Sequence, residues 1–175
     1  VYKRQLEKES LICSKCPKNE YAKDPKETKC VSCPSGWVAD IGSASCSACS
    51  AGRVQDLTTK NVCLDCEKGL YQSLAEKTSC IKCPSGYVAP AVKSASCLPC
   101  YPGEYGVEIG SASCLKCPKN EYTQDTKELN CVSCPSGWVA DIGSASCSAC
   151  SVGRVQDLTT KKVCLDCKKG LYKPL

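Results

Sequence analysis

Residues 30–50 read CVSCPSGWVADIGSASCSACS, and the same stretch recurs without a change at residues 131–151. It contains two Cys-x-x-Cys pairs, beginning at Cys30 and Cys46, with a Pro-Ser-Gly turn signal and the strand-forming dipeptide Trp37-Val38 between them. Cysteine pairs at this short spacing, with a turn and a strand between them, indicate a small disulfide-linked unit rather than an ordinary apolar core.

The same unit extends along the chain. All 20 cysteines fall into ten Cys-x-x-Cys pairs that start 17 or, twice, 16 residues apart. Residues 13–71 also recur at 114–172 with nine differences. We therefore divide the chain into the end of a truncated preceding unit at 1–12, a first long repeat of six units at 13–113, and a truncated second long repeat of four units at 114–175. Tyr2 is expected to belong to that preceding unit.

Within a unit, positions are counted from the second cysteine of a pair. Position +3 is Gly in eight units and Asn19 or Asn120 in the other two, which predicts a left-handed backbone there. Position +5 is always Tyr or Val, which favours a strand. Each unit is thus predicted to be a short irregular β-hairpin, and the chain a small disulfide-rich linear array of hairpins that forms an elongated rod without helices.

Composition limits the class of protein. Leu, Ile and Val total 31 of 175 residues and Phe is absent, so cross-links must replace a conventional core. Disulfides persist in oxidising compartments, which predicts a secreted or cell-surface location. The net charge of +5 is spread among both signs, so we expect no nucleic-acid partner, and no stretch of this sequence has the length and apolarity of a membrane span.

The pattern Cys-Pro-x-Gly-x-Tyr, a polar loop and Cys-x-x-Cys resembles the ephrin-receptor-like cysteine-rich repeats and the related first module of tumour-necrosis-factor-receptor cysteine-rich domains. Residues 42–49, Gly-Ser-Ala-Ser-Cys-Ser-Ala-Cys, are especially similar to the former. The resemblance covers residues 13–172 and implies that the cysteines form disulfides.

Two pairings remain open under that resemblance. An interlaced pattern would join Cys13 to Cys30 and Cys16 to Cys33, and it would pair every cysteine within the sequence. A sequential pattern joins the second cysteine of each pair to the first of the next, and we favour it because the spacers do not alternate. It involves Cys16, Cys30, Cys33, Cys46, Cys49, Cys63, Cys66, Cys80, Cys83, Cys97, Cys100, Cys114, Cys117, Cys131, Cys134, Cys147, Cys150 and Cys164, with Cys13 and Cys167 pairing outside the fragment.

Catalysis and metal binding lack their usual residues. Histidine is absent, so neither a Ser–His nor a Cys–His arrangement can form. Cys-x-x-Cys is a redox signature only within a βαβ context, which is missing here. A tandem array of zinc sites, each with four cysteine ligands, is a remote alternative, because the spacing is near that of zinc-binding proteins. We expect a protein that is not an enzyme and holds no cofactor or metal.

Two functional classes remain. The first is an extracellular structural or adhesive array, such as a surface stalk, matrix strand or filament component, whose partners are copies of itself or other extracellular proteins. The alternative is the ligand-binding ectodomain of a cell-surface receptor. Trp37 and Trp138 follow the turn glycine directly, next to the strand residue at +5, and are the candidate contact residues.

Overall fold

The computed structural model describes residues 13–171, and within them it contains nine two-stranded antiparallel hairpins and no helix. This confirms the predicted fold class. The strands are β1 Glu20–Tyr21, β2 Val31–Ser32, β3 Trp37–Val38, β4 Ser47–Ala48, β5 Arg53–Gln55, β6 Cys63–Asp65, β7 Leu70–Tyr71, β8 Ile81–Lys82, β9 Tyr87–Val88, β10 Leu98–Pro99, β11 Glu104–Tyr105, β12 Leu115–Lys116, β13 Glu121–Tyr122, β14 Val132–Ser133, β15 Trp138–Val139, β16 Ser148–Ala149, β17 Arg154–Gln156 and β18 Cys164–Asp166.

The hairpins share one register. The residue at +5 always lies opposite the first variable residue of the next Cys-x-x-Cys pair, as in Tyr21 opposite Val31. The residue at +4 lies opposite the second variable residue, as in Trp37 opposite Ala48. Because successive side chains of a strand point to opposite faces, positions +4 and +5 define two different surfaces of every unit.

Nine disulfides close the hairpins in the sequential pattern, and each spans 13 or 14 residues. The Cα atoms of each bonded pair lie 5.6 to 5.8 Å apart, within the range that a disulfide requires. The bonds are Cys16–Cys30, Cys33–Cys46, Cys49–Cys63, Cys66–Cys80, Cys83–Cys97, Cys100–Cys114, Cys117–Cys131, Cys134–Cys147 and Cys150–Cys164.

The interior of the array is built from sulfur and small side chains. The second cysteine of a pair is nearly inaccessible in five units, with 0% or 1% exposure at Cys49, Cys66, Cys83, Cys100 and Cys117. Position +6 is the other buried site, and it holds a small residue or a glutamine, as at Ala89 and Gln72. The disulfides therefore take the place that large aliphatic side chains occupy in an ordinary domain.

Adjacent units are joined by two sets of backbone hydrogen bonds. The N–H at +3 donates to the carbonyl at +6 of the next unit, as from Gly69 to Ala89 over 2.9 Å. A residue in the loop of the next unit donates back to the carbonyl of the second cysteine of a pair, as from Glu76 to Cys49 over 2.9 Å. The buried backbone groups of one unit are thus satisfied by its neighbour, which explains why such small hairpins need an array.

Position +3 also touches the unit two further on. A Cβ added to Gly36 would overlap the backbone carbonyl of Glu76, and Gly52 and Gly69 approach the loops of Lys93 and Gly110 in the same way. The left-handed conformation predicted there is confirmed, with φ of 83° at Gly36, 64° at Asn19 and 71° at Asn120. At Gly36, Gly52 and Gly69, glycine is therefore favoured by both backbone conformation and lack of space.

Asn19 and Asn120, the two asparagines at +3, occur where the loop two units further on has a different sequence. The units two further on from Asn19 and Asn120 contain the loops 56–60 and 157–161, which share the sequence Asp-Leu-Thr-Thr-Lys. In these loops an aspartate-capped turn replaces the usual one. A side chain at +3 is therefore found only opposite this second type of loop.

Two expectations lie outside the described residues: the assignment of residues 1–12 to a preceding unit, and the strand position of Tyr172. Within residues 13–171 there is no helix of the length and apolarity needed to cross a membrane.

Candidate interaction surface

The +4 face of the hairpins is charged or polar in most units. Arg53 pairs with Asp65 at 2.7 Å and Arg154 with Asp166 at 2.9 Å, in each case across the two strands. In every third unit the same position holds an aromatic residue opposite a small or cyclic one. The three pairs are Trp37–Ala48, Tyr87–Pro99 and Trp138–Ala149.

Trp37 forms the wall of a shallow cleft between the first two units. The cleft has a volume of about 330 Å3, and Tyr21, Pro34 and Lys23 line it together with Ala44, Ser45 and Cys46. Trp37 itself is half-buried. Two aromatic rings and a proline around one opening give a surface suited to apolar or stacking contacts.

Tyr87 is the +4 residue of its unit, and a loop from a later unit lies over its aromatic ring. Lys127, from the loop two units further on, places its Nζ atom 5.3 Å from the centroid of the Tyr87 ring. The same loop approaches Gly86, the residue before Tyr87. The next-but-one loop therefore partly covers this aromatic residue.

Trp138 is more accessible than Trp37, with 42% of its surface exposed. Gly137, its neighbour, has no described atom near the position of a Cβ, whereas Gly36 is closely approached by Glu76. The loop that would cover Trp138 does not lie within the described residues. The two tryptophans belong to equivalent units in different long repeats.

The +5 face carries a row of exposed aliphatic residues. Seven of the first variable residues of the Cys-x-x-Cys pairs are apolar and 47% to 60% exposed. They are Val31, Leu64, Ile81, Leu98, Leu115, Val132 and Leu165. The row follows the spacing of the units and is interrupted by Ser47 and Ser148, so it provides the same kind of contact in seven of the nine hairpins described.

The glutamines at +6 were missed by the sequence reasoning. Gln55 accepts a hydrogen bond from the Gly36 N–H at 2.9 Å and donates to the carbonyls of Trp37 and Lys60. Gln156 makes the same three contacts in the second long repeat. The available signal was that +6 holds only Ala, Gly, Thr or Gln in the nine units described.

Cys13 and Cys167 are unpaired in the structure, and Cys13 is exposed. The sulfur atoms of the other 18 cysteines are in disulfides and do not serve as zinc-binding thiolates here. Among residues 13–171 no group of three or more His, Cys, Asp or Glu residues has the geometry of a metal site.

Asp56 and Asp157 are two carboxylates that accept hydrogen bonds from threonines of their own loops. Hydrogen bonds from the side chains of Thr59 and Thr160, and from the N–H groups of Thr58 and Thr159, hold the pKa of each aspartate below its usual 3.8. These bonds define the capped turn of the second loop type. Their role is conformational, since they tie the aspartate to its own loop.

A comparison with models of protein families finds a match for part of the chain. The family described as tyrosine-protein kinase ephrin type A/B receptor-like matches residues 52–96 and 86–128. No curated protein matches the chain. The matched stretch includes the closed hairpins and the +3 glycines at Gly52, Gly69, Gly86 and Gly103. Residues 52–128 therefore match the ephrin-receptor-like cysteine-rich repeats, which confirms the resemblance seen in the sequence.

Proposed function

We propose that the chain is a segment of an extracellular structural or adhesive array, such as a stalk, matrix strand or filament component. The observation that supports this most is the repetition of contacts to the next unit and to the unit beyond it. The same contacts recur from one unit to the next along the chain, as in other repeat proteins. The proposed partner is a second copy or another extracellular protein that meets the repeated +4 aromatic and +5 aliphatic positions.

Near-identity of the two long repeats supports this role over recognition of one ligand. The residues shared by 30–50 and 131–151 include exposed ones such as Asp40 and Ser47, which folding alone leaves free to vary. Equivalent surfaces at a fixed step suit repeated contacts between chains, and such contacts propagate when they are heterologous.

A ligand-binding receptor ectodomain is the second candidate. The cleft around Tyr21 and Trp37 favours it, because aromatic clefts of this size accept ligands. The family description also names receptors. This candidate predicts one or two defined sites rather than assembly.

The test is the self-association of the oxidised 175-residue chain with Cys13 and Cys167 blocked by alkylation, measured by sedimentation velocity over a range of concentrations and by negative-stain microscopy. We expect elongated particles that associate, and weaker association in Trp37→Ala and Trp138→Ala. Tyr101→Ala is the matched control, since Tyr101 is 60% exposed but lies outside the +4 position.

Peptide mapping of the Cys33–Cys46 and Cys134–Cys147 bonds would verify that each variant is folded. A chain that stays monomeric at all concentrations, or one whose association is weakened equally by Tyr101→Ala, would contradict the proposed contact. Association that needs neither tryptophan would place the contact elsewhere and overturn their role.

A further inference from the structure

A polar cleft of about 360 Å3 lies on the second long repeat, where three consecutive units meet. Its volume is at the lower end of the range for small-molecule sites. Its lining includes three cationic side chains and three serines: Lys119, Arg154, Lys162, Ser144, Ser146 and Ser148.

The cluster is a product of folding and not of a basic run in the sequence. Lys119 belongs to the first of the three units, next to Asn120, whose N–H donates to the carbonyl of Ala140 over 2.8 Å. The same stacking of hairpins brings Arg154 and Lys162 of the third unit to the serines of the second. The lysines and the arginine are separated by up to 43 positions in the chain, from 119 to 162.

The charge of the cleft is positive. Asp141 is the only carboxylate in its lining, against three cations. Arg154 contacts Asp166 through Nε, and a guanidinium has further N–H donors beyond that one. Ammonium, guanidinium and hydroxyl groups all donate hydrogen bonds, which makes the cleft suited to a ligand rich in acceptors and negative charge.

The first long repeat contains a natural comparison. Its corresponding residues are identical, from Lys18 and Asp40 to Arg53, except that Asn61 stands in place of Lys162. One cation is therefore lost while the serines and the rest of the framework are retained. The two long repeats are expected to differ in their affinity for an anion.

We propose that the cleft of the second long repeat binds a tetrahedral oxyanion, a sulfate or phosphate group. Lys119, Lys162 and Arg154 would supply the charge, and the serine hydroxyls would donate to the remaining oxygens. The source of the group is either the free inorganic ion or an ester on an acidic polysaccharide. This proposal stands independently of the structural role proposed above.

The test uses the oxidised 175-residue chain with three probes: inorganic sulfate, inorganic phosphate, and heparin as a sulfated polysaccharide. Binding is measured by calorimetry at two salt concentrations and by chemical-shift changes at Ser146 and Lys162. Lys162→Asn converts the second cleft to the residues of the first, and Asn61→Lys does the reverse. Lys169→Asn is the charge-matched control, because Lys169 is exposed and outside the cleft lining.

We expect Lys162→Asn to weaken binding about tenfold, in line with the loss of one charge-assisted contact. Asn61→Lys should add a second site of similar affinity, and Lys169→Asn should change little. Binding of the free ions would identify the oxyanion itself as the ligand, whereas binding of heparin alone would identify an ester on a polymer. Absence of binding to all three probes, or equal weakening by Lys162→Asn and Lys169→Asn, would overturn the proposal.

Discussion

At the scale of the residue, position +3 combines two constraints that are separable by experiment. Gly36 and Gly137 have the same neighbours in sequence and nearly the same φ, 83° and 82°. Of these two glycines, only Gly36 is approached by the next-but-one loop within the described residues. The chain therefore carries its own control for the steric contribution.

We predict that Gly36→Ala hinders oxidative folding more than Gly137→Ala. Both place alanine in the left-handed region, at a cost of about 1–2 kcal/mol. Gly36→Ala in addition displaces the Glu76 carbonyl, so the amide of Glu76 should exchange faster with solvent. The measurements are the yield of oxidised protein and hydrogen exchange at Glu76; equal effects of both variants would refute the close approach.

The capped turn at Asp56 leads to a prediction about pH. A carboxyl whose pKa is lowered by folding contributes stability above its ordinary value of 3.8, and that stability is lost as the pH falls through the depressed pKa. The turn 56–60 should therefore loosen only under acidic conditions. The Thr58 and Thr59 amide shifts, followed by NMR between neutral and acid pH, report it.

Thr59→Val should raise the pKa of Asp56 towards its ordinary value, because the largest cause of the lowering is the Thr59 hydroxyl. Asp157 in the same molecule keeps Thr160 and serves as the internal control. An unchanged Asp56 titration in this variant would show that the hydroxyl is not the cause.

At the scale of the element, the hairpin was predictable because its signals are local. Cysteine spacing, the left-handed residue at +3 and the strand residue at +5 all lie within one unit, and the structure contains the turn and strands that they indicate. The contacts between units were not predictable from those signals. The approach of Glu76 to Gly36 joins residues 40 apart in sequence, and no periodicity of a single unit reveals it.

The candidate surface was predictable only in part for the same reason. Trp37 stands out by its residue type, but its half-burial depends on neighbouring units. The lysines and arginine of the polar cleft come together through stacking and leave no local pattern. Gln55 sits at a position occupied mostly by small residues, and its three hydrogen bonds reach two units.

We predict that Gln55→Ala loosens the junction between the second and third units by about 1–3 kcal/mol, the cost of leaving buried backbone groups unpaired. Gln55 is 4% exposed, whereas Gln156 is only partly buried, so Gln156→Ala should cost less. Hydrogen exchange of the Gly36 and Gly137 amides measures the two effects. Gln55→Glu should have an intermediate effect, since a carboxylate accepts a hydrogen bond from Gly36 but cannot donate to Trp37 and Lys60. A larger loss of amide protection at Gly137 in Gln156→Ala than at Gly36 in Gln55→Ala would contradict this assignment.

At the scale of the whole molecule, the order of units matters because each unit contacts the next two. Deleting residues 33–48 removes one whole unit, so the remaining cysteines keep their sequential pairing. The deletion places Asn19 opposite the Glu76 loop, in the position that Gly36 occupies in the parent chain. Deleting residues 83–99 instead places Gly52 and Gly69 opposite loops of the usual type, around Gly110 and Lys127.

We predict that the chain lacking 33–48 oxidises poorly and that the chain lacking 83–99 oxidises nearly as well as the parent. Asn19→Gly should restore the first deletion, because it removes the side chain that meets Glu76. The measurement is the fraction of protein with all sequential disulfides, determined by peptide mapping. Equal yields from the two deletions, or failure of Asn19→Gly to restore folding, would show that the next-but-one contact does not govern unit order.

The sequential disulfides also determine how the chain transmits a pulling force. Tension that enters at Cys16 crosses the sulfur bridge to Cys30, passes through Val31 and Ser32 to Cys33, and crosses again to Cys46. Residues 17–29 are bypassed and bear no load. Reducing one such bridge would release about 40 Å of slack, as 14 residue steps of roughly 3.3 Å replace a Cα–Cα distance of 5.7 Å. The length to which the array extends under load should therefore depend on how many of these bridges are intact.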